Sequence, residues 1–408
     1  MSDRNPLDFA ALAEANRPLN AFVDFDRAAR FGEGPLAGVT VGVKSNIAVR
    51  GLPWTAGMAL HRGRIAARDA ATVAALRDAG AAIIGTLNME EAALGAKTDN
   101  PFFGATHNPH RIGFTPGGSS GGSGAAVAAG LCDLALGTDT MGSVRIPASY
   151  CGVYGFKPAQ TAVSRDGLEL AEPALDVIGP LARSLDLLEQ AARLTSAFGN
   201  EALPGKPVTL ADLGGVECTS DVLACFQQVC GLLDMGAPVT LPDAPSRVRY
   251  AGFIATAAAL HAELAEADAS LLSPTLAKLI SYGPRRKDED RQADREVLAR
   301  TAQHLNEIVT QTGPLVLPTA PQPAFDHAEP APANQADFTC LANVGNLPAI
   351  TIPAGTGANG MPIGVQIVGP RGAEAGLFAL ARQIDGQLRA YRQPDYFQED
   401  KRVSPCAS

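Results

Sequence analysis

The chain has 408 residues, 46% hydrophobic and 18% charged, enough for one large domain or two to three ordinary ones. Its net charge of −9 argues against a general affinity for nucleic acid or anionic membrane. The N-terminal stretch MSDRNPLDFAALAEANRP lacks the apolar core of a signal peptide, and no run reaches the ~18 apolar residues a membrane span needs. Cys132, Cys151, Cys218, Cys225, Cys230, Cys340 and Cys406 are scattered, odd in number and without a CxxC pair, so neither a disulfide framework nor a zinc site is expected. These features together predict a reducing, cytoplasmic setting. The histidines form no HExxH or HxH motif, and no metal is expected. A histidine-based catalytic triad stays open, because its members can be far apart in sequence.

Residues 36–50, LAGVTVGVKSNIAVR, alternate apolar with small or polar residues and predict a strand pair around Lys44. In the next segment Val73 and Leu76 mark a helical stripe ending near Gly80, and AAIIG reads as a buried strand. Residues 123–130 have a helical pattern and 132–137, CDLALG, a strand pattern. This alternation predicts an α/β layered fold. From about 200 to 312 the pattern turns helical, with Leu298, Ala302, Leu305 and Ile308 on one stripe and a proline-marked turn at SYGPRRK. The α/β grammar returns at 314–318, PLVLP. LPAITIPAG, an Asn359-Gly360 turn and PIGVQIVG then read as a hairpin. A last helix places Leu377, Leu380, Ala381, Ile384 and Leu388 on one face, and the Pro/Ala-rich 317–333 reads as a surface loop.

The stretch TPGGSSGGSGAAVAAG at 115–130 admits three readings. A flexible linker would have polar flanks, yet this one runs into the apolar AAVAAGLCDLALG. A phosphate loop needs GxxxxGK[ST] or a GxGxxG behind a strand, and neither spacing is present. The third reading is a backbone crowded enough to need glycine, presenting serine hydroxyls against buried surface. It gains weight from a second Gly-Ser turn in LGTDTMGSVRIPASYCG (136–152) and from a lysine inside an apolar strand. Lys44, Ser119 and Ser143 are then the candidate catalytic side chains.

At these residues the chain closely resembles the amidase signature family, whose members carry GGSS(G/S)GS, then GTDxGGSxRxPAxxCG, with the catalytic lysine upstream in GVxVxVKD. Here GGSSGGS lies at 117–123 and GTDTMGSVRIPASYCG at 137–152. The likeness covers most of 36–200 and 314–390 and leaves the middle unmatched. It implies a single α/β/α layered domain over 1–408 around a large mixed β-sheet, with the helical segment of about 200–312 covering the substrate. It also implies a Ser–cisSer–Lys triad: Ser143 as nucleophile, Ser119 as relay on a cis peptide, Lys44 as base. An oxyanion hole is carried over from the backbone of Thr140, Met141, Gly142 and Ser143. Ser120, Asp139 and Arg145 are supporting residues, with a structural salt bridge as the plain alternative for the last two. Ser120 and Ser123 divide two tasks between them, one bonding the lysine or backbone and the other capping the following helix.

A serine hydroxyl is a poor nucleophile unless a base takes its proton, and a relay hydroxyl can donate to one partner while accepting from another. The lysine must be neutral, so it needs burial to lower its pKa from about 10.4; Val41, Val43 and Ile47 suggest such surroundings. Serine, lysine and backbone amides fill every role, so no cofactor is expected.

Two residues depart from the family pattern. Met141 stands where a glycine is usual, so the turn there needs an ordinary φ, and the thioether would narrow the acyl pocket. Ser45 stands where an acidic residue is usual. Trp54, Met58, Asn88, Met89 and Met141 are candidate pocket residues by position, with ordinary core packing as the alternative for most. The expected function is hydrolysis of a small amide, with a lean toward one bearing a carboxylate or ureido group; no nucleic acid or membrane partner is expected, and a homodimer is carried over on family grounds only. The alternatives are an esterase-active relative, a non-catalytic relative, or a component of a multiprotein complex, similar to the glutamyl-tRNA amidotransferase component that shares this triad. For the last, the chain reads as short.

Overall fold

The computed structural model describes residues 7–394; Cys406 lies outside them. Nine strands form one mixed sheet: β1 (Phe22–Phe25), β2 (Thr40–Lys44), β3 (Ala82–Leu87), β4 (Leu134–Asp139), β5 (Tyr154–Lys157), β6 (Val177–Ala182), β7 (Leu315–Pro318), β8 (Ala349–Thr356) and β9 (Pro362–Val368). Their spatial order is β1-β3-β2-β4-β6-β5-β8-β9-β7. β2 runs parallel to both neighbours, and every other pairing in the sheet is antiparallel.

Strand alternation sorts side chains to the two faces. Val41, Val43, Ile83, Leu134 and Leu136 join one core with Val73, Leu76, Leu188, Leu377 and Ile384 from helices on that side. Ala82, Ile84 and Ala135 join a second core with Ala125–Ala129, Val144 and Ala148. Helices therefore cover both faces, giving the α/β/α layering expected.

The glycine-rich stretch becomes helix α1 (Gly121–Ala128), every residue of it buried. Its small residues let it lie close against its neighbours: a Cβ at Gly122 would collide with the Asn88 carbonyl oxygen. A short helix, α2 (Arg145–Tyr150), follows the second Gly-Ser turn.

The middle is mostly helical. α3 (Pro245–Glu263) starts with proline at its first position, where the missing N–H costs nothing. α4 (Asp288–Glu307) starts with Asp288, Glu289 and Asp290, whose charges suit a helix N-terminus. α5 (Thr339–Val344) then returns the chain to the sheet beside α2's turn. Among the described residues no helix is long and apolar enough to cross a membrane.

Three local expectations need correction. Residues 36–50 hold one strand, not two: after Lys44 the chain turns, and Ile47 makes only an isolated bridge to Leu168. Alternation continued past the strand, but Ile47 N–H bonds back to the Lys44 carbonyl and closes a turn there. The 317–333 segment is largely buried in its first half, where Thr319, Ala320 and Ala324 pack inward, and it is exposed near 328–331. SYGPRRK, read from its proline as a turn, contains a short helical segment at Tyr282–Arg285.

Candidate active site

β2 delivers Lys44 at its C-terminal end. Since Val41 and Val43 face the first core, the alternation turns Lys44 toward the side of α1. There Lys44 Nζ lies 2.7 Å from Ser119 Oγ and 2.7 Å from Thr138 Oγ1. Both Lys44 and Ser119 have 0% exposure. The Gly118–Ser119 peptide bond is cis. Burial lowers the Lys44 ammonium to a pKa of about 7, against the upward pull of Asp176, then Asp139 and Glu90. Desolvation outweighs three carboxylates.

Ser143 lies in the turn between β4 and α2 and is half-buried, the one member of the three that keeps solvent access. Its carbonyl accepts from Ser120 N–H at 3.3 Å, which ties this turn to the start of α1. Asp139 organises the turn from below. Its Oδ1 accepts from Gly142 N–H at 2.7 Å and its Oδ2 from Val144 N–H at 3.1 Å. Arg145 returns two donors to the same carboxylate, at 3.0 and 2.9 Å. Burial alone would raise Asp139, but the Arg145 guanidinium, aided by Lys157 and Asn343, holds it at about 2. Arg145 also donates to Gln366 and Asn343, and both members of the ion pair have 0% exposure. The pair is therefore a turn clamp, well away from bulk solvent.

Gly142 was expected among the oxyanion donors, but its N–H is already given to Asp139. The N–H groups of Thr140, Met141 and Ser143 make no backbone or side-chain hydrogen bond to another described residue. Gly142 instead supplies the one left-handed backbone of the turn, φ +136°, against Thr339. Met141 has no positive φ, so the methionine sits where any residue can. Its carbonyl accepts from Thr339 Oγ1 at 2.7 Å. Its thioether packs on α3, where a Cβ built at Gly252 would lie 3.0 Å from Sδ.

Ser120 and Ser123 both hold α1 to β4. Ser120 Oγ donates to Thr138 O at 3.1 Å and accepts from Thr138 N–H at 3.2 Å, while Ser123 Oγ donates to Leu136 O at 3.1 Å. Neither side chain caps the helix, contrary to expectation, because the hydroxyls turn to the strand backbone instead. Ser45 is buried, one residue beyond the strand.

The other pocket candidates are dispersed. Asn88 spends its side chain on Gly104 O, Thr106 Oγ1 and its neighbour's N–H. Met89 and Met58 pack in an apolar cluster with Ala92, Ala93 and Leu260. Trp54 donates to Asn46 O at 3.0 Å and carries the Arg64 guanidinium over its ring. Of these candidates, only Met141 lies in the Ser143 turn.

Three residues beside Lys44 were missed. Thr138 touches Nζ directly. Asn46 donates to Thr138 Oγ1 at 3.2 Å. Asp176 accepts from Thr140 Oγ1 at 2.6 Å and from the Ala171 and Glu172 N–H groups, and burial raises it to about 6. Thr138 and Asn46 sit within or beside the motifs already singled out, so position alone could have nominated them; Asp176 carries no such signal.

A family model described as Amidase matches residues 11–201 and 234–378. The chain belongs to the amidase signature family. The match extends well into the middle region that the motif resemblance left uncovered. A glutamyl-tRNA(Gln) amidotransferase subunit from Natronomonas pharaonis is 35% identical, over 88% of this chain and 97% of that protein. The chain is thus not short beside that subunit, whereas it covers 81% of the corresponding subunit from Treponema pallidum (strain Nichols) at 33% identity over 86% of this chain. An inhibitor-bound structure described as a vestigial protein complex, revealing the origins of an s-triazine catabolic enzyme, is 27% identical with a TM-score of 0.86, covering 94% of each chain. 6-Aminohexanoate cyclic dimer hydrolase with its substrate is 25% identical with a TM-score of 0.84, covering 97% of this chain and 96% of that one.

Proposed function

We propose that this amidase-family chain cleaves the C–N bond of a small amide through a Ser143 acyl-enzyme, with Ser119 as relay and Lys44 as base. The observation that carries this reading is the 2.7 Å approach of Ser119 Oγ to a fully buried Lys44 whose pKa falls to about 7. Near neutral pH roughly half of such a lysine is free to take a proton.

Ser143 Oγ attacks the amide carbonyl as Ser119 takes its proton and passes its own to Lys44. The N–H groups of Thr140, Met141 and Ser143 receive the oxyanion, and Asp139 keeps them aimed by holding the turn through Gly142 and Val144. The relay then runs backward, protonating the departing ammonia or amine. Water deacylates Ser143 by the same route and leaves a carboxylate.

A second reading is a component of a complex whose ammonia is handed to a partner protein, favoured by the 35% identity to an amidotransferase subunit. One experiment separates them: the purified chain and Ser143→Ala are assayed on small amides, carboxylated amides, aryl amides and glutamine, alone and with copurifying proteins. Amide turnover by the chain alone, lost in Ser143→Ala, is the expected result. Ammonia release from glutamine only with a partner present favours the second reading. Undiminished turnover by folded Ser143→Ala overturns both. The kcat/KM profile should rise as pH climbs through about 7, because Lys44 must lose its proton to act.

A further inference from the structure

Lys44 has two hydroxyl neighbours at the same 2.7 Å distance, Ser119 and Thr138. A neutral lysine amine has two hydrogens and a single lone pair, and a hydroxyl can either donate or accept. If Thr138 donated into that lone pair, the base would be occupied by the wrong hydroxyl, and Ser119 would have nowhere to send its proton. Distance alone does not decide between the two arrangements.

Asn46 decides it. Its Nδ2 lies 3.2 Å from Thr138 Oγ1, so the Thr138 oxygen faces two N–H donors, one from Asn46 and one from Lys44. A hydroxyl oxygen has two lone pairs; with both taken, its own hydrogen must point away from both donors. The same Nδ2 also faces the Glu169 carbonyl at 3.5 Å, while the buried Asn46 Oδ1 has no partner among the described residues; with the amide turned over, that oxygen would accept from the Thr138 hydroxyl and would again direct its hydrogen away from Lys44. The backbone is pinned as well: the Asn46 carbonyl accepts from Glu169 N–H at 2.9 Å and from Trp54 Nε1–H at 3.0 Å. Asn46 is buried, and its route to the Lys44 amine runs through the Thr138 hydroxyl.

We propose that Asn46 is a positioning residue acting through Thr138: its amide compels the Thr138 hydroxyl to accept from Lys44, so that the lysine lone pair is presented to Ser119. This rests on the Ser119–Lys44 relay proposed above. The arrangement is a polarity device, in which a side chain with fixed donors orients an ambivalent hydroxyl, and the hydroxyl in turn orients an ambivalent amine.

A fluorophosphonate tests it without a known substrate. Ser143 Oγ forms a bond to phosphorus as the P–F bond breaks and fluoride leaves, and the serine proton passes through Ser119 to Lys44. The second-order inactivation rate is measured across about pH 6–9, with the adduct located by mass spectrometry. Asn46→Leu removes the donor, and its rate should fall about tenfold or more even at the high-pH plateau, where Lys44 is already neutral. In a Thr138→Val background the same change should cost less than about twofold, because its intermediary is gone. Asn46→Asp supplies an acceptor to which Thr138 must donate, so the Thr138 hydrogen is again directed away from Lys44. Its plateau should be retained, while the added negative charge moves the acid limb to higher pH, Asp176, Asp139 and Glu90 being the carboxylates already facing Lys44.

Equal losses in both backgrounds, an unaltered rate in Asn46→Leu, or a lowered plateau in Asn46→Asp would each overturn the proposal. Should Asn46→Leu fail to fold, the near-isosteric Asn46→Asp and the Thr138→Val against Thr138→Ser pair still decide, since only the hydroxyl-bearing serine should keep the rate. Lys44→Met run alongside separates the two claims: an unslowed Lys44→Met means the relay reading itself has failed.

Discussion

The Ser143 turn and the middle helical segment both rest on arginine–carboxylate pairs, but in different surroundings. Arg145 and Asp139 are wholly buried, and each also bonds other fixed groups: Gln366 and Asn343 for the arginine, two backbone amides for the aspartate. In the helical segment, Arg247 and Arg286 share Asp294, and Arg300 meets Asp243, with guanidinium groups that remain partly in solvent. Water reaches the arginine side of the second kind, and the buried Asp294 carboxylate has two arginines, so either pair can weaken without stranding its charge. The first kind is unforgiving, because removing one partner strands a buried charge. The proposed chemistry is thus mounted where geometry is over-determined, and the helical segment is held by contacts that tolerate change.

The sharpest break in that comparison is Lys44→Met. Turnover should fall about a thousandfold or more, as when one member of a catalytic triad is removed. The protein should nonetheless become more stable at neutral pH. Lys44 titrates near 7 when folded against 10.5 ordinarily, so between those values the unfolded chain holds the extra proton. Stability therefore rises with pH across that window, and the lysine's burden is fully present below about 7. Methionine removes a burden on the order of a few kcal/mol. Thermal melts of both proteins at about pH 7 and 10 should show a gain at the lower pH that shrinks at the higher. A lysine that is structural would give a loss instead.

Next in size is Arg145→Met. It leaves the Asp139 carboxylate buried without its guanidinium, which should destabilise the fold by about 3–5 kcal/mol, read from urea midpoints. Adding Asp139→Asn should recover part of that loss, because the stranded charge goes with it.

The sequence exposed this region unevenly, for a physical reason. Lys44, Ser119 and Ser143 are legible because each is odd in its local setting: a lysine in a valine strand, serines among glycines. Asp139 and Arg145 are legible as a pair but not as a clamp, since the clamp depends on Asn343 and Gln366, which arrive from strands and helices about two hundred residues away. Asp176 is an ordinary aspartate at the start of an apolar strand, and only the fold brings it to Thr140. The strand pair expected around Lys44 failed at the opposite scale. Alternation persists through SNIAVR, but a turn closed by the Ile47 N–H overrides it. Spacing reports which side chains share a face and is silent on which faces meet.

On the helical side the expected effects shrink. Arg286→Ala breaks one arm of the Asp294 clasp, and because Arg247 still pairs with the buried carboxylate it should lower Tm by only about 1–2 °C in a protein this large. Its effect on activity should appear in KM, with kcat kept within about twofold, if the helical segment acts only as a cover. A tenfold fall in kcat with KM unmoved would place this segment in the chemistry and erase the contrast.

The smallest change probes the point where the two regions touch. Met141 belongs to the Ser143 turn by sequence, yet its thioether packs on Gly252 of α3. Because its φ is not positive, the methionine is there without backbone strain, so Met141→Gly relieves nothing and adds the usual glycine flexibility of about 0.5–1 kcal/mol. What it opens is space between the turn and α3. The ratio of kcat/KM for a bulky acyl amide to that for a small one should rise about tenfold, the worth of a methylene or two in an apolar pocket. Gly252→Ala presses a methyl toward Sδ and should move the same ratio the other way. Opposite shifts from the two sides would make this contact the place where the cover sets what the site accepts. A ratio unmoved by both would leave Met141 as packing alone, and specificity would have to be sought farther along α3.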